Sequence, residues 1–162
     1  MNDFYLTEPE YSLDPDYDPP NFGDNTSTEA QTMPETRNQR IQTYRSILTT
    51  AIEGGISYWA TVLKYSPDMH DDTLDLGPAC SATILDSEDP GTRYDLNTAT
   101  IRSAMAKLHK GGGYRPDGTS PDWWAKKWRA AYRDCATGEW DFDASDADVV
   151  VQVAVFGEVV YG

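Results

Sequence analysis

Apolar and polar positions along this chain change period several times, and each change predicts an element. Residues 36–53 place Ile41, Tyr44, Leu48, Ala51 and Ile52 on one helical face, with Gly54-Gly55 as the stop. Ile56 to Leu63 is β-branched and aromatic and reads as a strand, closed by Ser66-Pro67-Asp68. After a polar loop over 68–78, Ala79 to Leu85 and Thr92 to Leu96 flank a turn with Pro90-Gly91 at its centre, a β-hairpin. Asn97 then caps a helix whose apolar face holds Ile101, Ala104, Met105 and Leu108, ending at Gly111-Gly112-Gly113.

Ser120-Pro121-Asp122 offers an N-cap, a proline at N1 and an acid at N2 for the next helix. Trp124, Trp128, Ala131, Tyr132 and Cys135 form its apolar stripe, and Gly138 ends it. The segment 146–156 is ambiguous. Its valines favour a strand, but Ser145-Asp146-Ala147-Asp148 resembles a capping box and Gly157 sits where a C-cap glycine would. The caps decide for a helix, leaving Val159-Val160-Tyr161 as a short strand. Gln152, alone in that apolar run, needs hydrogen-bond partners if the helix is buried. The expected fold is α+β: a small antiparallel sheet, one strand plus a β-hairpin, packed against about four helices.

The first 35 residues break every period. Pro9, Pro15, Pro19, Pro20 and Pro34 argue against a continuous helix there. Of the chain's net charge of −14, residues 1–36 carry −9, with no Lys or Arg before Arg37. Residues 37–162 carry only −5. Residues 1–35 therefore read as an acidic, Pro- and Tyr-rich arm, disordered or loosely docked, and 36–162 as one domain. Phe4, Tyr5, Tyr11, Tyr17 and Phe22 lie among the acids. Rings give a docking segment area and carboxylates give it orientation, so Asp14, Asp16, Tyr17 and Asp18 are its candidate contacts.

A sequence pI near 4.3 opposes general affinity for nucleic acid or anionic membrane and favours basic partners. Cys80 and Cys135 are too few for a disulfide framework and read as reduced thiols of a cytoplasmic protein. No apolar run reaches the ~18 residues of a membrane span. Met1-Asn2-Asp3-Phe4-Tyr5 lacks the basic start of a signal peptide.

Candidate chemistry is sparse. Asp68, His70, Asp71, Asp72 and Asp75 could offer oxygens and an imidazole to a cation, although the spacing fits no EF-hand and a solvated loop is the simpler reading. GxxxxGK[ST], GxSxG, HExxH and CxxC are all missing. His70 and His109 are the two histidines, and His109 at a helix end suits the macrodipole. Asp141 and Asp143 could pair, without specificity. No cofactor is implied.

Seven of the 13 basic residues fall in 107–133. Lys110, Arg115, Lys126 and Lys127, with Trp123 beside a triple glycine, could face phosphates or bases. Alternatively Lys126, Arg129 and Arg133 are a solvated helix face, or the acidic arm folds over the whole 107–133 patch.

Two stretches, Ala51 to Trp59 and Asp146 to Gly162, resemble a family of small, mostly uncharacterised acidic proteins of bacteriophages that infect Gram-positive bacteria, actinobacteria especially. The resemblance covers 36–162, excludes the arm, and brings no catalytic residues. It implies a phage protein acting in the host cytoplasm. With the acidic composition, the leading expectation is a non-enzymatic inhibitor that mimics DNA toward a basic host or defence protein. The alternatives are a nucleic-acid or nucleotide binder using the 107–133 patch with the arm as lid, a virion or assembly component, and a carboxylate enzyme.

Overall fold

The computed structural model describes residues 29–67, 80–115 and 117–162, with side chains from Arg37 onward. Helix α1 spans Glu29–Thr50 and passes through a π-turn, Ala51–Gly55. Strands β1 (Ala60–Ser66), β2 (Ser81–Asp86) and β3 (Arg93–Asn97) follow, then helices α2 (Thr98–His109), α3 (Asp122–Asp134) and α4 (Ala144–Phe156). The strands form one antiparallel sheet in the order β1-β2-β3, so the expected α+β fold is present.

Several boundaries differ from the sequence reading, each for a local reason. α1 begins at Glu29 and runs through Pro34. That proline removes one i→i−4 bond, the one that would reach the Ala30 carbonyl in the first turn. Gly54-Gly55 does not stop the helix at once. Ile56 donates its amide to the Ala51 carbonyl at 3.0 Å, widening the last turn. Gly55 is needed because a Cβ there would meet the Ala144 carbonyl at 2.8 Å. The first strand accordingly starts at Ala60, not Ile56.

Register shifts between Val62 and Lys64, which leaves Leu63 as a bulge in β1. Val62 lies opposite Ile84 and, beyond the bulge, Tyr65 opposite Ala82, so both β1 residues join the core side. On the other face Thr83 donates to Asp95 at 2.7 Å across the β2–β3 pair.

Asn97 caps α2 as expected, accepting from the Ala99 and Thr100 amides while Thr100 Oγ1 accepts from the Asn97 amide. At α3 the frame moves by one. Pro121 holds the cap position with extended backbone, and Ser120 Oγ is buried without a partner among the described residues. At α4 the cap is Asp143, which accepts from the Asp146 amide at 2.9 Å, and Gly157 closes the helix in the left-handed conformation. The helix expectation for the valine run holds because α4 is buried nearly all round, and burial overrides β-propensity.

The core joins Ile47 and Leu48 of α1, Trp59, Ile84, Leu96, the α2 stripe, Trp124 and Trp128 of α3, and Val150, Val151 and Val153 of α4. Both cysteines are free and buried, and burial raises each thiol, Cys135 to about 12. No described helix is long and apolar enough to cross a membrane.

Candidate functional site

Two polar constellations dominate the described surface and interior. The first is buried. α4 places Asp148 and Gln152 one turn apart, on the side facing the π-turn and the start of β1. Asp148 is 7% exposed and Gln152 fully buried. Asp148 accepts three hydrogen bonds: Trp59 Nε1 at 2.7 Å, Tyr58 Oη at 2.8 Å and Gln152 Nε2 at 2.8 Å. No cation forms an ion pair with it among the described residues. Three donors therefore take the place of a positive charge.

Gln152 extends the network into the closing segment. Its Oε1 accepts from the Val160 and Tyr161 amides at 2.8 and 2.7 Å, and its Nε2 donates to the Tyr161 carbonyl at 2.9 Å. A side-chain amide offers the same donor and acceptor edges as a peptide. Gln152 thus does for 160–161 what a neighbouring strand would do, and the expected strand at Val159–Tyr161 does not form. Tyr161 then stacks on Trp59 at 5.3 Å and donates to Asp86 at 2.9 Å.

Burial lifts the Tyr58 phenol from 10.0 to about 12, helped by its bond to Asp148. Tyr161 is raised as far, by burial and then by Asp86. Chemically this network fastens four parts of the chain together. A cleft of about 360 Å³ opens beside it between Gly54, Tyr58, Ser145 and Tyr161. Sequence reasoning found Gln152 but read Asp148 as a first-turn capping acid. Trp59 and Tyr58, adjacent in sequence, supply two of its three donors.

The second constellation lies on the outer side of α3. Trp124, Trp128 and Ala131 are buried, which turns Trp123, Lys126, Arg129 and Arg133 outward. Trp124 donates to the Gly112 carbonyl at 3.1 Å, and the Gly113 carbonyl accepts from the Val159 amide at 2.9 Å. A Cβ on Gly113, whose φ is +83°, would meet Val153 at 2.9 Å. The triple glycine is thus packed between α2, α3 and α4 rather than held open for a phosphate.

Tyr114, packed between Trp123 and Trp124, carries the Arg115 guanidinium 5.3 Å from its ring centre. Trp123 itself is 57% exposed. Gly111 abuts Ala125, so Lys110 at the end of α2 sits beside the first turns of α3. The structure therefore gathers Lys110, Arg115, Trp123 and Lys126. Lys127 departs from this group, because its ammonium pairs with Asp146 of α4 at 2.5 Å. Arg133 pairs with its neighbour Asp134 at 2.8 Å. Among the described residues Lys110, Arg115, Lys126 and Arg129 form no ion pair.

Among the described residues His109 has no hydrogen-bond partner at Nδ1. It stacks on Tyr132 at 4.4 Å, and Arg40 of α1 lies over the same ring at 4.6 Å. Asp143 serves as the α4 cap, a structural role, and no hydrogen bond among the described residues joins it to Asp141. The candidate contacts Asp14, Asp16, Tyr17 and Asp18 lie outside the described residues. So do the candidate cation ligands Asp68, His70, Asp71, Asp72 and Asp75. Among the described residues no group of three or more His, Cys, Asp or Glu is placed to hold a metal ion.

No protein-family model, curated protein or solved structure matches this chain.

Proposed function

We propose that the protein is a non-enzymatic phage protein that works by contact in the host cytoplasm, where its acidic N-terminal segment binds a basic host or defence protein in place of nucleic acid. The observation that carries this reading is the partition of charge: residues 1–36 hold −9 of the total −14 and no cation. A segment of that composition attracts a lysine- and arginine-rich surface and competes there with phosphates. Phe4, Tyr5, Tyr11, Tyr17 and Phe22 add apolar anchors that a solvating tail does not need.

The test is capture of host proteins on the full chain and on a variant with Asp14→Asn, Asp16→Asn and Asp18→Asn. Captures are compared at about 0.05 M and about 0.5 M salt. The expected result is a basic protein held by the full chain, weakly held by the variant, and released by salt. A partner indifferent to both salt and the three substitutions overturns the reading.

A second reading has its own observation. Trp123 is exposed beside Arg115, Lys110 and Lys126, the combination of ring and cation on which single-stranded nucleic acid stacks. It requires that a short single strand quench tryptophan fluorescence in the wild type and not in Trp123→Ser.

A further inference from the structure

We propose that the outer face of α3, centred on Trp123, Lys126 and Arg129, is a docking surface for this chain's own segment Asp14–Asp18. The proposal goes beyond the function above, since it holds whatever outside partner the segment serves.

Charge selects the occupant. The face presents Lys126 and Arg129 without ion pairs among the described residues, with Lys110 and Arg115 beside its first turn. Asp14-Pro15-Asp16-Tyr17-Asp18 places three carboxylates and one ring in five residues. Lys126 and Arg129 lie three apart on a helix, so their Cβ atoms stand about 5–6 Å apart. Carboxylates two residues apart in an extended segment lie about 6–7 Å apart and point the same way. The two spacings match.

Chain length allows the contact. α1 meets α3 near the latter's C-terminal end. There Arg40 covers Tyr132, and the Thr43 hydroxyl approaches the Cys135 carbonyl at 3.4 Å. From Arg40 back to Glu29 is about 16 Å of helix, and from Tyr132 to Trp123 about 14 Å. Even if α1 leads directly away, the segment must span about 30 Å. The 11 residues from Asp18 to Glu29 reach at most about 36–40 Å. The tether keeps the local concentration of the segment in the millimolar range, so individually weak surface pairs are occupied.

The test places a nitroxide on the full chain at Ser12→Cys. The native thiols are buried, so the label reacts at residue 12. In the ¹⁵N-resolved spectrum, the amides of residues 122–133 and the Trp123 indole should lose their signals, while the β1–β3 amides keep theirs. Raising salt to about 0.5 M should restore the lost signals. So should the pair Lys126→Gln and Arg129→Gln. Signal loss elsewhere, no loss, or loss that persists through salt and both substitutions overturns the proposal. Loss in a mixture of nitroxide-labelled ¹⁴N chain and unlabelled ¹⁵N chain overturns it as well, by placing the segment on a second copy. The salt titration needs no substitution in the body, so misfolding cannot imitate the expected result. The isolated protein is sufficient, so failure here is separate from failure to capture a host partner.

Discussion

Around Asp148 each donor has its acceptor, whereas on the outer face of α3 Lys126 and Arg129 form no ion pair among the described residues. Both regions are polar and both carry tryptophan, yet their physics is opposite. Asp148 is buried, so its carboxylate must be satisfied inside the protein or the fold loses stability. Lys126 and Arg129 are solvated, so leaving them unpaired costs the fold little. The difference teaches where to look for function. A closed network explains itself as structure. Trp123 edges onto Tyr114 and Trp124 but leaves most of its ring exposed beside cations unpaired among the described residues, which is where a partner is to be sought.

That comparison is best broken at the buried end. Asp148→Ala would leave Trp59 Nε1, Tyr58 Oη and one N–H of the Gln152 amide without their acceptor. The expected loss is about 3 kcal/mol of stability, read from denaturant midpoints. A loss under about 1 kcal/mol would mean that water enters and takes over the carboxylate's role. Gly113→Ala should cost about 2–3 kcal/mol, combining a left-handed backbone with a close approach to Val153. If it is neutral, the glycine loop has slack and a phosphate-binding role for it reopens.

The tyrosines give a smaller, pH-dependent effect. Burial lifts Tyr44, Tyr58 and Tyr161 from 10.0 to about 12 in the folded chain. The unfolded chain releases these protons near pH 10 and the folded chain near 12. Their contribution is therefore intact below pH 10 and lost as pH rises from 10 to 12. Urea midpoints from pH 8 to 12 should fall over that window, less steeply in Tyr44→Phe; equal slopes would contradict the assignment. At the exposed end, Trp123→Ser should change stability by no more than about 0.5 kcal/mol. A larger loss would make Trp123 a packing residue and erase the contrast between the two regions.

Much of the fold was readable from local signals. Asn97 announced α2, the Trp124 and Trp128 spacing announced α3, and the Pro90-Gly91 turn announced the hairpin. Errors came where distant contacts rule. Ile56 looks like a strand residue, but it closes a π-turn that α4 holds in place through Gly55. Asp148 looks like a capping acid, but the indole and phenol that bind it lie about 90 positions earlier. The candidate surface was partly readable. Its cations were visible as a cluster, but nothing local tells that Lys127 turns to Asp146 while Lys126 stays open.

By itself the sequence determined the element types and the charge partition. These depend on periodicity, caps and composition, which are properties of neighbouring residues. Only the tertiary structure decided that Gln152 would replace a strand partner for 160–161, that the triple glycine would be packed shut, and that Trp123 would remain exposed. Each of those outcomes is a contest for burial between segments far apart in the chain, and such contests are settled only when the chain has closed on itself.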